Sequence, residues 1–157
     1  MKENTDKNFL LRKYVPSDIG GILHVFESSV TELCANDYSP AQIRAWINCA
    51  DERKWNAEFL SRHTTVAVID DEIIGFCDTE ENGHVDRLYV SPEHAGKGVG
   101  ASLIKDAESF LCGKEIRVEA SVTAKPFFQK LGYKVIEAQR VQRHGETLIN
   151  YKMIKTA

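Results

Sequence analysis

Three glycines at every second position, Gly96, Gly98 and Gly100, separate the apolar run Leu88-Tyr89-Val90 from an amphipathic stretch that follows. This spacing lets successive backbone N–H groups converge on one point, and a helix opening there adds its partial positive charge. Ala95 to Ala101 is therefore built to hold an anion such as a diphosphate. One glycine suffices for a turn; three imply close approach of a ligand to the backbone. Ahead of the loop stands His84, a candidate general base because imidazole titrates near neutrality, with Asp86 two residues on to orient it. Period-two alternation puts His84, Asp86, Leu88 and Val90 on one face, polar at its start and apolar toward the loop, the layout of a strand running from an open cleft into a closed one. Glu80 is the next candidate base, but beside Glu81-Asn82-Gly83 it reads as turn chemistry. Cys77 has no evident neighbouring base and reads as packing rather than as an acyl-carrying nucleophile.

Two familiar phosphate sites fail here. A Walker-type loop needs Gly-Lys followed by Ser or Thr, and Lys97 is followed by Gly98. A dinucleotide fingerprint fits Gly96-x-Gly98-x-x-Ala101 literally, with Glu119 at about the right distance. However, Ser91 to Ala95 intervene after the strand, an antiparallel meander precedes it, and too little chain remains for a doubly wound sheet.

The elements that must position these residues follow from pattern and punctuation. Phe9 to Val15 reads as a strand stopped by Pro16. A helix over 17–31 carries Ile19, Ile22, Leu23, Phe26 and Val30 on one face, and Ser39-Pro40-Ala41-Gln42 is a capping box that opens a second helix toward Ala50. Trp55, Phe59 and Leu60 suggest a third, ending near Arg62-His63. The period then changes: 64–69, 73–79 and 84–90 read as strands of an antiparallel meander, turned at Asp70-Asp71 and at 80–83. A helix from about Gly100 to Leu111 puts Val99, Leu103, Ile104, Ala107 and Phe110 on one side. Then come a strand over 116–120, a short helix over 124–130, and two strands over 133–143 and 146–154, turned at His144-Gly145. The order is α+β, a mixed and mostly antiparallel sheet flanked by helices.

Composition sets the outer limits. The 157 residues, 43% apolar and 27% charged, suit one domain over 1–157. A net charge of −3 lacks the basic excess of a nucleic-acid or anionic-membrane binder. No apolar run reaches the roughly 18 residues of a membrane span, and no signal-peptide core follows the polar N-terminus, so a soluble cytoplasmic chain is expected. The irregular spacing of Cys34, Cys49, Cys77 and Cys112 points to reduced thiols, not to a metal or disulfide framework.

The run Ser91-Pro92-Glu93-His94-Ala95-Gly96-Lys97-Gly98-Val99-Gly100-Ala101 between strand and helix resembles motif A of the GNAT superfamily of acyl-CoA N-acyltransferases. Ala124-Lys125-Pro126-Phe127-Phe128-Gln129-Lys130-Leu131-Gly132-Tyr133 resembles its motif B. Tyr38-Ser39-Pro40, Ala120-Ser121 and Asn150…Met153 are similar to its bacterial YafP-like branch. The resemblance covers nearly the whole chain and implies the GNAT fold, acetyl-CoA as co-substrate, no metal, direct acetyl transfer to an amine on a small molecule or peptide, and a homodimer through the final strands.

Carried over residue by residue, Leu88, Tyr89 and Val90 face the pantetheine arm, and Ala95, Gly96, Lys97, Gly98, Val99, Gly100 and Ala101 cradle the diphosphate. Ser121, Phe127 and Phe128 complete the cofactor site, and His84 falls where several members place a base. Phe26, Tyr38 and Trp46 lie in the region where the family builds its acceptor pocket, Tyr38 being the one expected to face a ligand. Three departures stand out: Ala95 replaces Gln or Arg, Ser121 replaces an Asn that bonds the arm, and Phe128 replaces a Tyr that protonates the leaving thiolate. Tyr133 is an alternative acid, though it reads better as a packed aromatic. These departures leave open a second expectation, a non-catalytic acyl-CoA-binding module.

Overall fold

The structure, a computed structural model, describes residues 8–156. Strand β1 (Leu10–Lys13) leads through a 3-10 turn (Pro16–Asp18) into α1 (Ile19–Leu33), α2 (Pro40–Ile47) and α3 (Glu52–Ser61). Then follow β2 (His63–Ile69), β3 (Glu72–Thr79), β4 (His84–Val90), α4 (Val99–Leu111), β5 (Ile116–Ser121), α5 (Lys125–Lys130), β6 (Lys134–Arg143) and β7 (Glu146–Lys155). The capping box forms as its residues predict: Ser39 Oγ accepts from Gln42 N at 3.1 Å, and Gln42 Oε1 accepts from Ser39 N at 2.8 Å. Asp70 and Asp71, at φ 50° and 67°, make the two-residue turn of the β2–β3 hairpin, whose closing pair is Ile69 and Glu72.

Among the described residues seven strands join one sheet in the order β1-β2-β3-β4-β5-β7-β6, antiparallel except where β5 runs parallel to β4. Two cores flank it. On one face α4 seats Leu103, Ile104, Ala107 and Leu111 against Ala67, Cys77, Val118 and Met153. On the other, α1 and α3 bring Ile22, Val25, Phe26, Trp55 and Phe59 onto Val66, Val68 and Phe76. Phe110, expected on the buried side of α4, is 39% exposed and instead stacks on His63 at 4.2 Å between ring centroids. The four cysteines are free; Cys77 is buried, and burial pushes its thiol far above the usual range, as packing requires and nucleophilic catalysis forbids.

One irregularity corrects the expected strand geometry. Asp78 pairs with Arg87 and Thr79 with Val85, so Asp86 is an extra residue bulged out of β4. A bulge reverses the alternation across it. Val85, Leu88 and Val90 accordingly pack with α4, whereas Arg87 lies over the Trp55 ring and Tyr89 joins the α1–α3 face. The single face expected for His84, Asp86, Leu88 and Val90 does not exist.

Candidate functional site

Parallel pairing of β4 with β5 is confined to His84–Arg117 and Val85–Val118. Beyond that the strands part, and a cleft of about 910 Å³ opens between Asp86–Val90 on one wall and Glu119–Ser121 on the other. Because β4 pairs with β3 on its far edge only, the peptide groups of 86–90 that face the gap are available to an extended ligand.

The glycine loop closes one end. Gly98 holds φ +90° at the N-cap of α4, a conformation that L side chains strain to adopt, and among the described residues no side chain caps the helix, which leaves its first-turn amides open to a ligand. A β-carbon on Gly100 would stand 3.2 Å from the Phe127 ring, so the third glycine lets Phe127 rest on the loop. Ala95, Gly96, Gly98, Gly100 and Ala101 line the cleft. Val99 is buried in the core and can offer only its amide, and the exposed Lys97 is not part of the wall. Main-chain donors at a helix start fit a diphosphate whatever side chain stands at 95.

Ser121 Oγ accepts from Ala124 N at 3.0 Å and keeps its proton for donation. Phe127 and Phe128 reach the cleft, their rings edge-on at 5.1 Å. Tyr133 is not an available acid: it is buried behind Phe128, its hydroxyl donates to Glu108 at 2.8 Å, and burial together with that carboxylate raises its pKa.

The other end is charged. Asp78, fully buried, receives Arg62 at 2.9 Å and Arg87 at 2.6 Å. Arg87 also reaches Glu58, and Arg62 also reaches Asp86 at 2.7 Å and Glu80 at 3.4 Å. Glu80 takes His84 Nδ1 at 2.7 Å, and Glu119 stands 3.6 Å from His84 Nε2. Burial lifts the Asp78 carboxyl to about 6 despite its arginines. Glu119 first, with Glu80, raises His84 to about 9 against the opposing effect of burial, so its ring carries a proton at neutral pH. The expected His84–Asp86 pair is absent because the bulge hands Asp86 to Arg62. Nor does His84 line the cleft; Glu119, in contact with it, does.

Phe26, Tyr38, Trp46, Trp55 and Tyr89 form an aromatic wall beside this end. Phe26 meets Trp55 and Tyr89 edge-on, each at 5.0 Å. The Tyr38 ring lines the cleft, but its hydroxyl donates to Ile149 O at 2.6 Å and accepts from Val122 N at 2.9 Å, so it braces the walls and offers a ligand its ring alone. The sequence pattern does not reveal the Glu58–Arg87–Asp78–Arg62 chain, and it offers Glu119 only as a dinucleotide acid. One signal was present: an aspartate inside the apolar run of β3 must be paired.

The profile of a family described as an acetyltransferase (GNAT) domain matches residues 34–155. The chain is 34% identical over 146 residues to the uncharacterized N-acetyltransferase YafP of Escherichia coli, covering 93% of this chain and 95% of that one. It is also 34% identical over 83 residues to the peptidyl-lysine N-acetyltransferase YjaB of Salmonella typhimurium, 52% of this chain and 57% of that one. Among solved structures, a GCN5-related N-acetyltransferase from Rhodopseudomonas palustris superposes with a TM-score of 0.91 at 34% identity, covering 94% and 95% of the two chains. The PaiA N-acetyltransferase of Thermoplasma acidophilum, in complex with coenzyme A, gives 0.79 at 23% identity, covering 95% and 99%.

Proposed function

The chain belongs to the GNAT family and is an acetyl-CoA-dependent acetyltransferase, and from that premise we propose that it moves the acetyl group directly onto an amine held at the charged end of the cleft. The observation that carries this reading is one continuous cleft joining an uncapped glycine loop to a cluster of five carboxylates and three cations. When bound, acetyl-CoA supplies a thioester carbonyl open to attack. The amides of 96–101 hold its diphosphate, and the unpaired edge of β4 guides its arm toward the aromatic wall.

An aliphatic amine with a pKa near 10.4 arrives protonated and must lose a proton to attack. The carboxylate excess of the cluster attracts the ammonium; Glu58, Asp86 and Glu119 line the cleft, the first two held by Arg87 and Arg62 and the third standing beside His84. Glu119 and His84 act as one titrating couple that receives the proton once the couple has lost its own, in place of the His84–Asp86 pair that the sequence suggests. With Phe128 and Tyr133 unable to donate, the thiol leaves as its anion, which a reference pKa near 8.5 permits.

The test is CoA release across an amine panel that includes a lysyl peptide, with the protein's own thiols blanked. Wild type should turn over at least one amine, and the couple predicts a rate that climbs up to about pH 9. Glu119→Gln should lower kcat at least tenfold with little change in CoA affinity. If wild type binds CoA and acetylates nothing in the panel, transfer to an amine is the wrong reading.

A further inference from the structure

Resting on the reading above, we propose that Arg143 of β6 selects the acceptor: its guanidinium receives a carboxylate that the amine substrate carries several bonds away from the reacting nitrogen. Among the described residues the cations that line the cleft are Lys54, Arg87, Lys130 and Arg143. Arg87 is committed to Asp78 and Glu58, and Lys54 and Lys130 are exposed. Arg143 is half-buried, and its hydrogen bond to the Gln142 carbonyl at 2.9 Å leaves most of its N–H fork unspent. Glu146 faces it across the β6–β7 ladder, yet among the described residues it makes no ion pair with it, and it does not line the cleft. A guanidinium with donors to spare on a cleft wall suits a planar carboxylate, which accepts two parallel hydrogen bonds from it.

The register sets where that carboxylate lies. Between Gln139 and Arg143 the β6–β7 ladder is unbroken, so Gln139, Val141 and Arg143 point to one face of the sheet. Val141 packs there with the α1–α3 core, and Gln139 Nε2 reaches Glu119 at 3.5 Å. Arg143 thus stands on the side of the aromatic wall, about 13 Å along β6 from the residue that touches the proton-accepting couple. The glycine loop opens α4, which packs on the opposite face, so the diphosphate is met by other donors.

An acceptor held at both points needs its ammonium and its carboxylate at opposite ends of a chain. An α-amino acid reacting at its α-nitrogen carries both charges on one carbon and cannot span them; an ω-amino acid can. The carboxylates gathered around Arg62 and His84 enforce the same separation, because they repel an anion close to the reacting nitrogen.

Kinetics of CoA release with ε-aminocaproate and with pentylamine, which differ by that carboxylate alone, test the assignment. Wild type should favour ε-aminocaproate about tenfold in kcat/KM, chiefly through KM. Arg143→Gln should bring the ratio near unity, Arg143→Lys should restore part of it, and Arg143→Glu should reverse it. An arginine with a merely structural role would lower both rates together and keep the ratio. Equal kcat/KM for the two amines in wild type, a preference that survives Arg143→Gln, or weakened CoA binding by that variant in calorimetry overturns the role of Arg143. Turnover of other amines but of neither of these overturns it too and leaves the acetyltransferase reading intact; a wild type that binds CoA and acetylates no amine overturns both.

Discussion

The two ends of the cleft are built from different materials. At the glycine loop the groups presented to the cleft are main-chain amides, and side chains matter there mainly by being absent, as at Gly98 and Gly100. At the charged end the working groups are side chains brought from α3, β3, β4 and β5, and each holds its place only through its neighbours. A main-chain site tolerates the alanine at 95. A side-chain network has no such slack: removal of one member strands another in low dielectric.

The network should therefore break hardest. Arg87→Ala deprives the fully buried Asp78 of one of its two cations and empties the space over Trp55. We expect a loss of about 3–5 kcal/mol in urea unfolding. Adding Asp78→Asn should recover part of it, because the stranded charge is then gone; a double variant no more stable than the single one would refute the charge explanation. The glycine end should respond less in stability and more in binding. Gly98→Val forces a β-branched residue to φ +90°, costing about 1–2 kcal/mol. It also crowds the amides, and CoA affinity should fall about tenfold or more by calorimetry. Unaltered CoA binding in a folded Gly98→Val protein would show that the loop does not hold the diphosphate.

The same contrast governs what could be read from the chain. Features fixed by a few consecutive residues were legible: β4 runs from His84 to Val90 as its pattern predicts, the Ser39–Gln42 box forms, and the glycine loop opens α4. Features fixed by distant partners were not. The bulge at Asp86 arises where β3 meets β4, and Arg62, which read as the tail of a helix, pairs with carboxylates on both strands. Tyr38 reads as a ligand-facing aromatic, yet its hydroxyl ties together Val122 and Ile149. Strict alternation placed His84 and Asp86 together because it assumes an unbroken ladder, and one inserted residue separates them.

The smallest expected effect discriminates best between a network and a set of independent charges. Folding raises His84 from a reference value near 6.5 to about 9, so its contribution to stability is fully present below about pH 6.5 and is lost as pH rises through about 9. Discounted for its contact with solvent, that contribution is about 1 kcal/mol. Urea unfolding of wild type and His84→Gln at pH 6, 8 and 10 isolates it: the variant should be the less stable at pH 6, and the two curves should converge by pH 10. Glu119→Gln in the wild-type background should shrink the same difference, since Glu119 is the first cause of the raised pKa. A His84→Gln deficit constant across this range would mean that His84 contributes by packing alone, and the couple assigned to proton removal would lose its physical basis.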